Sequence, residues 1–367
     1  MTQVKTAGRV RRAGNANVCT IREIEQTKSA PHEKWCRLQM LSRRRQGSRS
    51  VARTYALYYA SDVHGSERCW KKFLRAAPFY QAEASIMGGD LTGKAIVPIA
   101  QGDDGGFEAE FLGERRAGQS ASDLDDLIGA IRYNGMYPWL APREEIDRVR
   151  DDAGARDALF EEVIVDELQR WIDLADDRIG EQDVALFVMA GNDDPWSCDA
   201  VLRAARRVVF CDDRVVHAGP HEMISCAYAN PTPWHSPREL NEDELYSRIR
   251  RLAEQLENPH SAIFNLHVPP FDSGLDRANE IREDLSVVFV GGQPHEIPVG
   301  STAVREIIEE YQPLLSLHGH IHESRGAAQI GRTLAINSGS EYNSGRIHGV
   351  TVKLTTERVV SHQFVVG

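Results

Sequence analysis

Residues 315–326 read LSLHGHIHESRG, an apolar run that stops in a polar loop with histidines at positions 318, 320 and 322. The run is short enough for a buried strand, and Gly319 lets the chain bend between the first two histidines. Histidines at alternate positions can be metal ligands, or they can be a polar patch at a strand end. The twelve residues do not decide between these. A ligand set needs partners elsewhere, and the same design recurs along the chain.

TYALYYASDVHG (54–65), ASIMGGDLTG (84–93), VALFVMAGNDDP (184–195) and SAIFNLHVPP (261–270) are each an apolar run ending in a loop with Asp, Asn or His. Helical spacing lies between some of them. Trp70, Phe73, Leu74 and Ala77 share one face after the first run, and STAVREIIEEY (301–311) precedes the last. Strands alternating with helices predict an α/β fold, and in such sheets ligands gather beyond the carboxyl ends of the strands. Five such endings could converge on one site.

The residues they would bring together are Asp62, His64, Asp90, Asn192, His267, His320 and His322. Nitrogen and oxygen donors without thiolate suit Mn, Fe, Zn or Ni better than Ca or Mg. Seven are too many for one catalytic ion with an open position, but they suit two ions sharing a carboxylate. In order and spacing (DxH, GD, GN, a lone His, GHxH) the chain resembles the calcineurin-like metallophosphoesterases, and within them the Icc-related predicted phosphoesterases. The resemblance runs from Thr54 to Gly339.

The resemblance implies a four-layer α/β/β/α sandwich. It gives Asp62, His64 and His322 to a first metal, Asn192, His267 and His320 to a second, and Asp90 to both. It implies two divalent ions, manganese favoured, and hydrolysis of a small phosphoester by a metal-bridging hydroxide. Asn192, Asp193 and His267 are its catalytic candidates. Many relatives carry histidine after GN as a proton donor, whereas this chain reads GNDDP, with Asp193 in that place and Asp194 next. An ionised carboxylate cannot donate a proton and would repel a dianionic monoester, so a phosphodiesterase is expected. A phosphomonoesterase or protein phosphatase and a non-catalytic binding platform are the alternatives. The Asp193–Asp194 pair could equally cap a turn.

Around this set stand weaker candidates. His318 reads as a hydrogen-bonding or structural group, Gly339 and Ser340 as a turn against the site or equally a plain structural turn, and Trp234 as core or pocket wall. Lys94 and Arg325 could meet a phosphate, although solvated surface charge is the simpler reading for both. The remaining histidines are left unassigned.

Residues 94–182 form an expected insertion. AIVPIA and FEAEFLG flank QGDDGG as a hairpin, and Phe160, Ile164, Leu168, Trp171, Ala175 and Ile179 mark a long helix that Gly180 would end. SPRELNEDEL (236–245) carries the marks of a helix start at Ser236, Pro237 and Glu239.

Charge separates the chain into two parts. Residues 1–53 hold 13 Lys/Arg against 3 Glu, while the remainder carries a net −21. So acidic a body argues against broad nucleic-acid binding, and no apolar stretch is long enough for a membrane span. The basic head reads as a disordered or targeting segment, with Met40 as an alternative start, and residues 54–367 as the metallophosphoesterase domain. Six scattered cysteines without a CxxC pair favour a reducing cytoplasm. Oligomeric state and physiological substrate leave no mark in the sequence.

Overall fold

The computed structural model describes residues 53–179, 184–282 and 284–367. Most of the basic head, Met40 and the helix stop expected at Gly180 lie outside the described residues. Every apolar run that ends in a site loop forms a strand. Tyr55–Ala60, Ala84–Met87 and Ala185–Val188 pair in parallel, and Val208–Phe210 extends them. His348–Leu354 adds to Tyr55–Ala60 in antiparallel fashion, and Val359–Val366 completes this six-stranded first sheet.

A second six-stranded sheet has the parallel strands His221–Cys226, Ile263–Leu266, Leu315–His318 and Thr333–Asn337 at its centre. Val215–Ala218 and Gly326–Ile330 are its antiparallel edges. The two sheets face each other through one buried cluster. Leu57, Ile86 and Phe187 from the first meet Met223, Ile263 and Leu317 from the second. Each such side chain contributes about 1.5–3 kcal/mol on burial.

Helices cover the outer faces. Glu67–Tyr80, Ala153–Ile179 and Cys198–Ala204 bury their apolar residues with the outer face of the first sheet. Glu242–Ala253 and Thr302–Tyr311 do the same on the second. Helix, sheet, sheet and helix therefore follow one another across the molecule. Among the described residues, no helix is long and apolar enough to cross a membrane.

The segment between Asp90 and Gly191 divides into two parts. Ile96–Gln101, Phe107–Phe111, Glu114–Gly118 and Tyr137–Pro142 form a separate four-stranded sheet, larger than a hairpin. Val97, Ile99, Phe107, Phe111, Leu127 and Ile131 give it a core of its own. The long helix Ala153–Ile179 belongs instead to the main core: the Trp171 and Trp70 rings stack at 5.4 Å, and Trp70 Nε1–H donates to Trp171 O at 3.0 Å.

One local reading is corrected. SPRELNEDEL does not open a helix at Ser236; the helix is Glu242–Ala253, capped by Asn241, whose side chain accepts from Glu244 N. Half of the cap signal is real, because Ser236 N–H donates to Glu239 Oε1 at 2.8 Å. The helix cannot follow, because Arg238 is buried and its guanidinium is committed to Asp199 and to the carbonyls of Asp194 and Pro195. Tertiary ion pairing overrides the capping motif there.

Candidate metal centre

The five loops meet at one end of the facing sheets. Asp62, His64, Asp90 and His320 all adopt left-handed backbone, at φ 59°, 37°, 52° and 65°. Non-glycine residues enter this region at a cost, and such strain concentrates at functional sites. Cross-loop hydrogen bonds hold the conformation: Asp62 N to Gly89 O and His64 N to Asp90 O, both 3.0 Å, and Gly319 N to His267 O at 2.9 Å. Gly191 and Gly319 are required by close approach. A Cβ on Gly191 would overlap Asp90 Oδ1, and one on Gly319 would overlap Asp62 Oδ2.

All seven candidate ligands are drawn together. Asp62, His64 and His322 offer donor atoms within 4.8 Å of one another, as do Asp90, His267 and His320. Asp90 Oδ2 lies between the groups, 3.6 Å from His64 Nε2 and 3.4 Å from His267 Nε2. His64 Nε2 and His322 Nε2 are 3.1 Å apart, and Asn192 Oδ1 is 3.0 Å from His267 Nε2. His267 Nδ1 donates to Gly88 O at 2.8 Å, which leaves Nε2 free to ligate. None of the histidines left unassigned joins a cluster among the described residues.

Burial and mutual charge set the protonation states. Burial pushes the His64 and His320 imidazoles down to about 3. For His267, burial works downward, but the carboxylates of Asp90 and Asp62 outweigh it and lift the imidazole to about 10. Burial, aided by Asp193 and Asp62, raises Asp90 to about 6 against the His267 charge. Within this pair the proton belongs to His267, which faces both carboxylates. Burial would raise Asp62, yet the hydrogen bond and charge of His322 hold it below the usual carboxylate range.

Asp193 and Asp194 have different roles. Asp194 is fully buried and accepts from Leu91 N, Thr92 N, Thr92 Oγ and Gly191 N, so it ties two site loops together. Asp193 lines the cavity, paired with Lys94 and accepting from Ser236 Oγ at 2.6 Å. Burial works to raise its carboxyl, but the Lys94 and Ser236 hydrogen bonds outweigh burial and keep it low. Lys94 is thus at the site, whereas Arg325 packs on Phe364 and donates to Val365 O.

His318 is buried beside the cluster, its Nδ1 facing the Leu266 and Val268 carbonyls that flank His267 and its Nε2 facing Ser316 Oγ. Ser340 Oγ–H donates to Asp62 O at 2.7 Å, so this turn supports a candidate ligand. Sequence reading overlooked Tyr342, whose ring centroid lies 4.7 Å from that of His64 and 5.7 Å from that of His322. It overlooked Arg238 as well, whose backbone N–H donates to Asn192 O. Neither stands in a recognisable motif.

The mixed α/β fold agrees with the expected class, and the residues expected as ligands stand together at the ends of the strands. No family model matches the chain. An uncharacterised protein of Methanocaldococcus jannaschii, MJ1162, is 33% identical over 118 residues, which span 31% of this chain and 46% of that protein. The chain thus matches less than half the length of this relative. TT1561 of Thermus thermophilus superposes with a TM-score of 0.48 and 13% identity, over 86% of this chain and 99% of that one. An archaeal phosphodiesterase gives 0.30 and 10%, over 85% and 99%, and Yfce, a phosphoesterase from E. coli, 0.28 and 12%, over 84% and 98%. None is similar enough to transfer a reaction, and the functional reading rests on this chain's own residues.

Proposed function

We propose that the chain is a calcineurin-like metallophosphoesterase, a phosphoester hydrolase that works with two divalent ions and prefers phosphodiesters or esters with acidic leaving groups. The observation that carries this is the position of Asp90 Oδ2, within 3.6 Å of His64 Nε2 and 3.4 Å of His267 Nε2, between two groups of donors. The donor set fits such ions. Imidazole lone pairs facing each other at 3.1 Å repel unless a proton or cation lies between them, and among the described residues His64 Nδ1 has no partner of its own.

Asp62, His64 and His322 would hold one ion and Asn192, His267 and His320 the other, with Asp90 between. Two ions there would supply Lewis-acid polarisation of the phosphoryl group and a nucleophile usable near neutral pH. Asp90 would offset repulsion between such cations, and Asn192 would contribute oxygen without charge. The Gly88 carbonyl fixes the tautomer of His267. Lys94, paired with Asp193, places its ammonium donors on the cavity wall, where they could hydrogen-bond a phosphoryl oxygen.

Asp193 in place of a histidine leaves the departing oxygen without an evident proton donor, because Lys94 and Ser236 hold the carboxylate ionised. This supports a dependence on leaving-group acidity. The pairing also weakens the electrostatic case against monoesters, since Asp193 and Lys94 together carry no net charge.

Asp90→Asn tests the reading. Removing the shared charge should leave well under two ions per chain by elemental analysis, and hydrolysis of bis(p-nitrophenyl) phosphate should fall with it. Full occupancy of both sites in this variant would remove the bridging role. Two bound ions in the unaltered protein without turnover of any ester would favour the binding platform.

A further inference from the structure

The cavity containing the candidate ligands is about 610 Å³ and has two unlike walls. His64, Asp90, Asn192, His320 and His322 form one, with Lys94 and Asp193 beside them. The rest of the lining includes a second, largely apolar wall of Pro231, Pro233, Trp234, Ile281, Ile297 and Val299, interrupted by Thr232 and Asn279. Phosphate chemistry needs only the first wall. A single exposed apolar side chain would require no explanation, but several apolar side chains lining the same cavity as a polar centre mark a ligand site.

Trp234 is the largest member of that face and is 62% exposed. Its loop is held on both sides. Trp234 N–H donates to Thr232 Oγ at 3.3 Å, and Thr232 Oγ–H and Ser236 N–H both donate to Glu239 Oε1. Asn230 Nδ2–H donates to Val299 O at 3.3 Å, joining this loop to the two-stranded ribbon Arg277–Asn279 and Glu296–Pro298. Two prolines and these bonds fix the backbone, so the ring is displayed at low entropic cost.

We propose that this wall binds a flat, apolar ring carried by the phosphoester, with Trp234 as its stacking partner and specificity-determining residue. The inference rests on the phosphoester reading and adds the class of substituent. A ring is favoured over an acyl chain because the face is short: the ribbon has three residues per strand and the cavity is open. An indole face offers a plane for stacking, which commonly strengthens binding about tenfold or more.

The test is calorimetric binding of phenylphosphonate and methylphosphonate to the metal-loaded full chain. The two share a head group and resist hydrolysis. Phenylphosphonate should bind about tenfold more tightly. Trp234→Ala should bring the ratio close to one, and Trp234→Phe should retain most of it. Equal binding of the two by the unaltered protein, or an unchanged ratio in Trp234→Ala, would overturn the proposal. Octylphosphonate binding above phenylphosphonate would assign the wall to an acyl chain and overturn it equally. If neither phosphonate binds, the proposal is overturned, and turnover of bis(p-nitrophenyl) phosphate decides separately whether the phosphoester reading stands.

Discussion

At the scale of single residues, Asp193 and His267 give the sharpest expectations. Asp193 accepts from Ser236 Oγ and pairs with Lys94, so it remains ionised and cannot protonate a leaving oxygen. The unaltered protein should therefore hydrolyse nitrophenyl esters far faster than alkyl esters. Asp193→His restores a donor and should raise turnover of poor leaving groups by about 10²-fold, while Asp193→Asn should not. Equal gains in both variants would point to release of Lys94 rather than proton donation. His267, lifted to about 10, holds the proton of its pair with Asp90 and must lose it before ligating. Protons and cations thus compete, and the sign follows: metal affinity rises with pH. From pH 6 to 8 each ion that displaces one proton should gain about tenfold per unit. Calorimetry in buffers of different ionisation enthalpy would count the protons released; a pH-independent affinity would contradict the assignment.

At the scale of elements, the long helix Ala153–Ile179 decides how separable the expected insertion is. Ile164, Leu168, Trp171, Ile172 and Ala175 are buried in the same cluster as Trp70 and Phe73. Trp171→Ala should cost about 3–5 kcal/mol and lower the melting temperature of the whole domain, as followed by denaturant unfolding. A loss below about 1 kcal/mol would mean that the helix is not part of the main core. The sequence showed the helix through its periodicity but not the two strands that enlarge the neighbouring sheet. Glu114–Gly118 is mostly exposed and lacks apolar alternation, and Tyr137–Pro142 contains two prolines, which argue against a strand. Tyr137–Pro142 pairs along the far side of Ile96–Gln101, and only that contact identifies it.

At the scale of the whole molecule, the charge division predicts that the domain stands without its basic head. A chain beginning at Arg53 should keep its melting temperature and its turnover, since residues 1–52 are rich in arginine and poor in apolar periodicity. A fall of several degrees in differential scanning calorimetry would place part of that segment in the domain's stability. Within the body, the alternation of apolar runs with site loops was legible because strand ends and ligand types are local properties. Asp62, His64, Asp90, Asn192, His267, His320 and His322 could each be named from five short motifs. Their convergence, the bond from Ser340 to Asp62 and the separate roles of Asp193 and Asp194 were decided by tertiary structure. So were the place of Trp234 on a cavity wall, the helix start displaced from Ser236 to Asn241, and Tyr342 beside His64. Periodicity and ligand chemistry are written in consecutive residues, whereas which side chain meets which across two facing sheets depends on contacts between residues far apart in the chain. Neighbouring positions along the sequence do not record those contacts.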